Sequence, residues 1–254
     1  MNIVETPFPE PSHSPSHSHS HSPGTGTGHS HHNSGGASSP EPDTDPARFW
    51  EDLYQTTGQK WSGRPNAALV HNTDGLAPGT ALDLGSGEGG DAIWLAEQGW
   101  TVTAVDIAPS ALARSAAAAA EATAGVSERI RWVQADLAVW HPESTFDLVT
   151  AHFLQSPVEL PRDQILRGAA AAVAPGGTLL VVGHAEFPPG SSHAASGEVL
   201  PSPQDVLASL NLRAGEWLVV TSDIAERTGT TPDGTTATFV DSVLRVQRIA
   251  AQPG

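Results

Sequence analysis

The sequence has no cysteine, a single lysine and no long apolar run. Without cysteine, disulfides, thiolate metal sites and thiol catalysis are excluded. No stretch approaches about 18 uninterrupted apolar residues, so no membrane span is predicted. The first ten residues have no basic segment followed by an apolar one, and no secretory signal is predicted. We therefore expect a soluble, cytoplasmic protein.

Basic residues are scarce throughout, and none lies in the first 45 residues. The formal net charge is −16, from 12 basic and 28 acidic residues. Five of the acids lie in residues 1–45, which leaves 23 acids against 12 bases in residues 46–254. Nucleic acids and acidic membrane surfaces both bind clustered Lys and Arg. We predict neither as a partner.

The composition changes sharply near residue 45. Residues 1–45 are dominated by Ser, Pro, Gly and His and hold seven of the twelve histidines. This segment buries too little apolar surface to offset its ordering entropy, so it is predicted to be disordered. Two interpretations of its histidines stay open: a solvated leader, or weak binding of divalent Ni, Cu or Zn. Residues 46–250 are predicted to form one domain, in which nothing requires a metal.

Hydrophobic patterning and turn residues predict alternating strands and helices in this domain. Strands are predicted at 80–84, 101–106, 129–134, 146–151, 176–183, 216–221 and 236–247, and helices at 45–55, 90–98, 110–125, 161–174 and 204–210. The alternation indicates an α/β fold, a doubly wound, Rossmann-like, mostly parallel sheet with helices on both faces. The last two strands flank a "TPDG" turn, which predicts a closing antiparallel hairpin.

The segment "ALDLGSGEGG", residues 81–90, follows the first predicted strand and opens a helix. Gly85, Gly87 and Gly90 have the spacing of a dinucleotide-binding loop. However, Asp83 precedes the first glycine by two residues, and its charge would repel a pyrophosphate. A cationic ligand without phosphate removes the conflict, and S-adenosylmethionine carries both an ammonium and a sulfonium. An NAD(P)-dependent oxidoreductase is therefore disfavoured.

Two further acids follow the next two predicted strands. Asp106 ends the second strand, where a carboxylate can accept both ribose hydroxyls or can cap the following helix. Asp136 lies just past the third strand, where it can accept from an adenine amino group or serve as an ordinary loop acid. The next N–H, of Leu137, can donate to the adenine ring. Three acids at neighbouring strand ends suit a cationic, phosphate-free nucleoside.

The successive segments "ALDLGSGEGG", "VTAVDIAPSAL", "WVQADL", "FDLVTA" and "APGGTLLVVG" resemble the motifs of class I S-adenosylmethionine-dependent methyltransferases. The resemblance covers about residues 46–247. The opening "FWEDLYQTTGQKWSGRPN" more narrowly resembles the small-molecule branch that includes tellurite-resistance and thiopurine methyltransferases. The resemblance implies a seven-stranded sheet with its last strand antiparallel, and methyl transfer to a small-molecule acceptor.

The same resemblance implies a site for S-adenosyl-L-methionine. Asp83 is implied to face the methionine ammonium, and Ser86 stands where the family often has Cys. The implied cofactor-binding residues are Trp61, Asp83, Gly85, Ser86, Gly87, Gly89, Asp106, Ile107, Asp136 and Leu137. Trp61 lies before the first strand and is implied to cover the cofactor.

Two histidines lie at the ends of the fourth and fifth predicted strands. His152 is our first candidate for a general base, because the resemblance implies that its position faces the transferring methyl, and His184 is the second candidate. Alternatively, either imidazole packs in the core or binds the backbone. A base is needed only when the acceptor must lose a proton, and a thiolate needs none.

Tyr54, Arg64 and Phe153 are candidates for the wall of the substrate pocket, with plain core packing as the alternative. Two functions from different classes stay open at this stage. The first is a small-molecule methyltransferase, and the second is a non-catalytic S-adenosylmethionine-binding sensor or scaffold.

Overall fold

The domain is built around one seven-stranded sheet. The computed structural model describes residues 44–56, 58, 63–187, 199–231 and 234–250. Residues 1–43 of the predicted disordered tail lie outside the described residues. Trp61 and two residues of the predicted closing turn lie outside them as well.

The strands are parallel except for the last one in sequence. They are β1 Thr80–Leu84, β2 Thr101–Asp106, β3 Ile130–Gln134, β4 Phe146–His152, β5 Val173–His184, β6 Trp217–Thr230 and β7 Thr236–Arg248. Their order is β3-β2-β1-β4-β5-β7-β6, and β7 runs antiparallel to both of its neighbours. The strand order reverses between β1 and β4, where a crevice opens at the carboxyl ends in such sheets. The predicted doubly wound sheet with a closing antiparallel hairpin is confirmed.

Six α-helices lie in the part of the chain that the structure describes. They are α1 Pro46–Thr56, α2 Ala67–Thr73, α3 Gly90–Glu97, α4 Pro109–Glu121, α5 Arg162–Ala171 and α6 Pro203–Ser209. Side-chain caps fix several of their starts. The carboxylate of Asp45 accepts from Ala47 N at 2.8 Å, at the start of α1. Ser202 and Asp205 form a reciprocal capping box at the start of α6.

Apolar side chains cover both faces of the sheet, and β5 shows how its residues divide between them. Leu179 and Val181 pack in a cluster with α5 and α6, whereas Leu180 and Val182 face the cluster that contains α2 and α3. Leu180 is completely buried, which contributes on the order of 1.5–3 kcal/mol relative to an exposed side chain. Both faces of the sheet are therefore covered by apolar packing, and the carboxyl edge is the place where a functional site can form.

The ends of two helices differ from the sequence predictions. Helix α4 ends at Glu121 rather than at Gly125, because the chain turns to bury Val126 in the cluster that contains Ile130 of β3. Helix α5 ends at Ala171 rather than at residue 174, and β5 begins at Val173. Pro175 explains this second difference, since proline disfavours the helical conformation in the residue before it.

Helix α2 and the full length of β6 were not predicted. Helix α2 is short, but its sequence carries a signal: the Asn66 side chain accepts from Ala68 N at 2.8 Å, and Leu69 is completely buried. Strand β6 continues to Thr230 rather than ending at residue 221. Its second half is polar because β6 is the edge strand and pairs only with β7.

Candidate active site at the carboxyl edge of the sheet

The three predicted acids lie on neighbouring parallel strands. Asp83 is in β1, Asp106 ends β2, and Asp136 lies two residues past the end of β3. Since β3, β2 and β1 are adjacent in the sheet, the three backbone positions share one edge. Their surroundings differ, because Asp83 and Asp106 are buried whereas Asp136 is exposed.

Asp83 is the most buried of these acids, with 3% of its surface exposed. Its Oδ1 accepts from Thr150 Oγ1 at 2.9 Å. Its Oδ2 is buried and has no hydrogen-bond partner among the described residues. Burial raises the pKa of Asp83 to about 7, and the carboxylates of Asp91 and Asp106 add to this effect while His152 and Thr150 oppose it. A buried acceptor of this kind is suited to a cationic donor.

The glycine loop between β1 and α3 requires residues without a Cβ. Gly85 has φ +71°, and a Cβ there would stand 2.9 Å from Leu154 Cδ1. Gly89 has φ +79°, and a Cβ there would stand 2.7 Å from the Trp132 ring and 2.8 Å from Ser115 Cβ. Positive φ and close packing therefore both select glycine. The loop also holds Ser86, whose buried Oγ has no hydrogen-bond partner among the described residues.

Asp106 holds the glycine loop against the start of α4. Its Oδ2 accepts from Gly87 N at 2.8 Å, and its Oδ1 accepts from Ala108 N at 2.9 Å. Burial raises the pKa of Asp106, and these backbone bonds oppose that effect. Each carboxylate oxygen has a second lone pair, so the two bonds leave Asp106 able to accept from a ribose hydroxyl. The helix-start interpretation and the cofactor interpretation are compatible.

The predicted adenine-binding residues are less enclosed. Asp136 Oδ1 accepts from Ala138 N at 2.9 Å, which shapes the turn after β3. Leu137 is half-buried and packs against the core cluster beneath α5. Ile107 is half-buried and packs with Tyr54 and Ala111.

His152 is paired with an acid that the sequence analysis missed. Its Nδ1 lies 2.7 Å from Asp91 Oδ2, and Asp91 Oδ1 accepts from Asn66 N at 2.6 Å. The other ring nitrogen, Nε2, is buried without a hydrogen-bond partner in the described chain. Burial lowers the pKa of His152, but Asp91 and then Asp83 raise it more, so the pKa lies above its ordinary value. Asp91 is in the first turn of α3, and its only sequence signal was an acid at a helix start.

His184 and Phe153 lie farther along the same edge. His184 Nδ1 lies 3.3 Å from Asp241 Oδ1, and its ring centroid is 4.5 Å from that of Phe153. Phe153 has φ +48°, which is strained for a bulky side chain. The structure thus brings both predicted histidines to the carboxyl edge, on the adjacent strands β4 and β5.

Two of the predicted substrate residues lie next to the starts of α3 and α4. Tyr54 is 3% exposed and packs against Ala108 and Ala111, between α1 and α4. Arg64 is exposed, and its carbonyl oxygen would stand 2.9 Å from a Cβ at Gly90. Trp61 lies outside the described residues.

Arg114 of α4 contacts both the glycine loop and helix α1. Arg114 Nη1 donates to Glu88 Oε1 at 2.9 Å, and Arg114 Nη2 donates to the Tyr54 carbonyl oxygen. Glu51 of α1 accepts from the backbone N of Ser110 at 3.0 Å and from its hydroxyl at 2.5 Å. Helix α1 therefore lies over the start of α4, next to the loop.

No cluster of three or more potential metal ligands occurs within the described ranges. Among the same residues, no helix is both long and apolar enough to cross a membrane.

Comparison with known proteins matches this region to one family. The family model "Methyltransferase domain" matches residues 81–177, which contain β1 to β4, the glycine loop and the start of β5. Thiocyanate methyltransferase 1 of Arabidopsis thaliana is 34% identical over 106 residues, which are 39% of this chain and 44% of that protein. The chain therefore spans less than half the length of this curated relative.

Solved structures share the fold. One, from work on "Conversion of a Disulfide Bond into a Thioacetal Group during Echinomycin Biosynthesis", has a TM-score of 0.59 and 23% identity over 81% of this chain and 94% of its own. The N-methyltransferase NodS from Bradyrhizobium japonicum WM9, in complex with S-adenosyl-L-homocysteine, has a TM-score of 0.57 and 17% identity over 80% and 99% of the two chains. Residues 81–177 thus match the methyltransferase domain model, and the chain shares its fold with these solved structures.

Proposed function

We propose that this chain is an S-adenosylmethionine-dependent methyltransferase that acts on a small molecule. The observation that carries the proposal is Asp83, a buried carboxylate whose Oδ2 has no hydrogen-bond partner among the described residues. An ammonium at this position would supply a donor and a compensating charge, whereas a pyrophosphate would add a second negative charge. S-adenosylmethionine fits this requirement and NAD does not.

The remaining predicted residues have complementary roles in the proposal. Asp106 orders the glycine loop and receives the ribose, while Asp136 and Leu137 receive the adenine edge. The glycines leave room for close approach, and Ser86 offers a hydroxyl that has no hydrogen-bond partner among the described residues. The methyl group of S-adenosylmethionine is already activated by its sulfonium, so the protein mainly has to align the acceptor and exclude water.

The relatives support the reaction class. One is named a thiocyanate methyltransferase and another an N-methyltransferase, and the latter was solved with S-adenosyl-L-homocysteine. The acidic charge of residues 46–254 favours a small acceptor over a nucleic acid. Phe153 at the carboxyl edge supplies an aromatic wall for that acceptor. The cytoplasmic location, the metal-binding tail and the substrate roles of Tyr54 and Arg64 stay predictions.

The test is conversion of S-adenosylmethionine to S-adenosylhomocysteine by the full chain with a panel of thiols, phenols, amines and thiocyanate. We expect turnover with at least one acceptor and calorimetric binding of S-adenosylhomocysteine. Binding without turnover on any acceptor would instead support the sensor or scaffold. Binding of NAD with no binding of either sulfur nucleoside would refute both.

A further inference from the structure

A second set of charged groups surrounds His184 at the carboxyl edge of β5. We define the His184 cluster as His184, Asp241, Arg227, Phe153 and Phe239. Asp241 is in β7, directly paired with His184, and Arg227 and Phe239 are paired across β6 and β7. The cluster therefore joins the ends of β4 and β5 to the antiparallel hairpin.

Asp241 is a buried carboxylate that contacts the guanidinium of Arg227 and the imidazole of His184. Only 2% of its surface is exposed. Its Oδ2 accepts from Arg227 Nε at 2.5 Å, and its Oδ1 lies 3.3 Å from His184 Nδ1. Because an ionised carboxylate only accepts hydrogen bonds, the proton of a neutral His184 must be on Nδ1. Its Nε2 is then left with a free lone pair.

His184 and His152 differ in access to that second nitrogen. Nε2 of His152 is buried without a partner in the described chain, and the charge of Asp83 acts on that ring. The side chain of His184 is 22% exposed. Val182 is paired with His152 across β4 and β5, so the two histidine Cα atoms are roughly 8 Å apart from ordinary sheet spacing. The His152 ring is therefore enclosed, whereas part of the His184 side chain is accessible to an acceptor.

Aromatic rings fix the rest of the cluster. The Arg227 guanidinium carbon is 5.4 Å from the Phe153 ring centroid and 4.5 Å from that of Phe239. Phe153 in turn is 4.5 Å from the His184 ring. Phe153, whose φ is +48°, therefore has its ring near both the imidazole and the guanidinium.

We propose that His184 is the general base of the methyl transfer and that Asp241 and Arg227 are its positioning residues. The acceptor is then a small molecule with a neutral O–H or N–H group rather than a ready-made anion. This inference rests on the proposed function. The acceptor's proton goes to His184 Nε2, its electron pair forms the bond to the methyl carbon, and the pair of the broken carbon–sulfur bond stays on sulfur. His184 then releases the proton to water.

The first test observes the imidazole without any turnover. Long-range ¹⁵N–¹H spectra of the full chain, labelled at histidine, report which nitrogen of each neutral ring carries the proton. His184→Gln identifies the signals of His184. We expect the Nδ1–H tautomer for His184 at pH 8.5. A neutral Nε2–H tautomer would overturn the proposal, because that nitrogen could not accept a proton.

Asp241→Asn tests the positioning role. Arg227 Nε still needs an acceptor, so the new amide oxygen should face Arg227 and the new NH₂ should donate to His184 Nδ1. We expect His184 to switch to the Nε2–H tautomer, with turnover on an O–H or N–H acceptor falling about 10²-fold or more. An unchanged tautomer together with unchanged turnover would overturn the proposal. Arg227→Lys keeps a cation beside Asp241. Its turnover on the same acceptor should therefore fall less than the turnover of Asp241→Asn.

Kinetics of His184→Gln separate this inference from the proposed function. On an O–H or N–H acceptor we expect loss of about 10²-fold in kcat and of the acidic limb of its pH profile. Binding of S-adenosylhomocysteine should be unchanged, and His141→Gln, at an exposed loop position, should behave as wild type. Full turnover of an O–H or N–H acceptor by His184→Gln would overturn the base but keep the methyltransferase, and so would a wild-type chain that methylates thiocyanate and no O–H or N–H acceptor. Absence of S-adenosylhomocysteine binding would overturn both.

Titration in this cluster involves a small set of charged groups. Asp241 contacts the His184 imidazole directly, and Arg227 contacts Asp241. Glu186 follows on the same chain and is exposed, and Arg162 Nη2 would stand 3.9 Å from a Cβ at Gly183. Arg162→Gln therefore serves as a second control, with a smaller effect on the pH profile than Asp241→Asn.

Discussion

Replacing Asp83 by Asn should change stability and cofactor affinity in opposite directions. The ordinary carboxyl pKa of 3.8 is raised by burial to about 7 in the folded chain. Because the folded-state pKa is raised, the contribution of Asp83 to stability is fully present below about pH 4 and is lost as the pH rises through about 7. At about 1.36 kcal/mol for each pH unit of this difference, the loss is roughly 4 kcal/mol.

The neutral amide in Asp83→Asn removes this electrostatic cost at high pH. Part of the gain is offset, because Oδ2 is buried with no hydrogen-bond partner among the described residues, and an unsatisfied NH₂ group in its place costs about 1–3 kcal/mol. We therefore expect a net stabilisation of about 1–3 kcal/mol at pH 8.5. In a domain of this size, 1 kcal/mol corresponds to about 2–4 °C in Tm.

Affinity should fall in the same variant. A hydrogen bond to a charged group contributes about 1.5–3 kcal/mol, so the Kd for S-adenosylhomocysteine should rise roughly 10- to 150-fold. Thermal unfolding at pH 4.5 and 8.5 and isothermal calorimetry measure the two effects. Asp74→Asn is the control, since Asp74 is exposed after α2 and neither quantity should change. A lower Tm at pH 8.5 with unchanged Kd would refute the reasoning.

Two further substitutions test other parts of the site. Asp91→Asn should destabilise the chain by about 1.5–3 kcal/mol at pH 5.5. Burial lowers the pKa of His152 but the nearby carboxylates raise it above 6.5, so this stabilisation is present below 6.5 and lost as the pH rises through the raised pKa. An equal change in Tm at pH 5.5 and pH 9.5 would contradict it. Gly89→Ala should lower stability by about 2–4 kcal/mol, from positive φ and contact with Trp132. Gly125 has φ +90° with open space around it, so Gly125→Ala should lower stability by only about 1–2 kcal/mol. Equal losses of stability in the two variants would show that packing at Gly89 is unimportant.

The parallel part of the fold could be predicted because its signals are local. Strand β1 is a short apolar run that ends in a glycine loop, and its predicted bounds, 80–84, are the observed ones. Strand β2, 101–106, agrees equally well. Edge strand β6 was predicted too short. It is held by backbone pairing with β7 and faces solvent, so its second half does not need the alternating apolar residues that predict a strand.

The pairs that give each histidine its chemistry could not be predicted. His152 and Asp91 are 61 residues apart in sequence, and His184 and Asp241 are 57 apart. The first pair depends on where α3 crosses the end of β4, and the second on the register of β5 against β7. A sequence pattern specifies neither. The positions of the three acids at their strand ends could be predicted from the sequence. The burial that raises the pKa of Asp83 could not, because it depends on the packed core.

Isothermal calorimetry of the full chain at pH 8 is the most direct test of the claim that the acidic strand ends bind a cationic adenosine. The account predicts binding of S-adenosylmethionine and S-adenosylhomocysteine, weaker binding by Asp83→Asn, and no heat with NAD. Tight NAD binding without heat from either sulfur nucleoside would contradict the account.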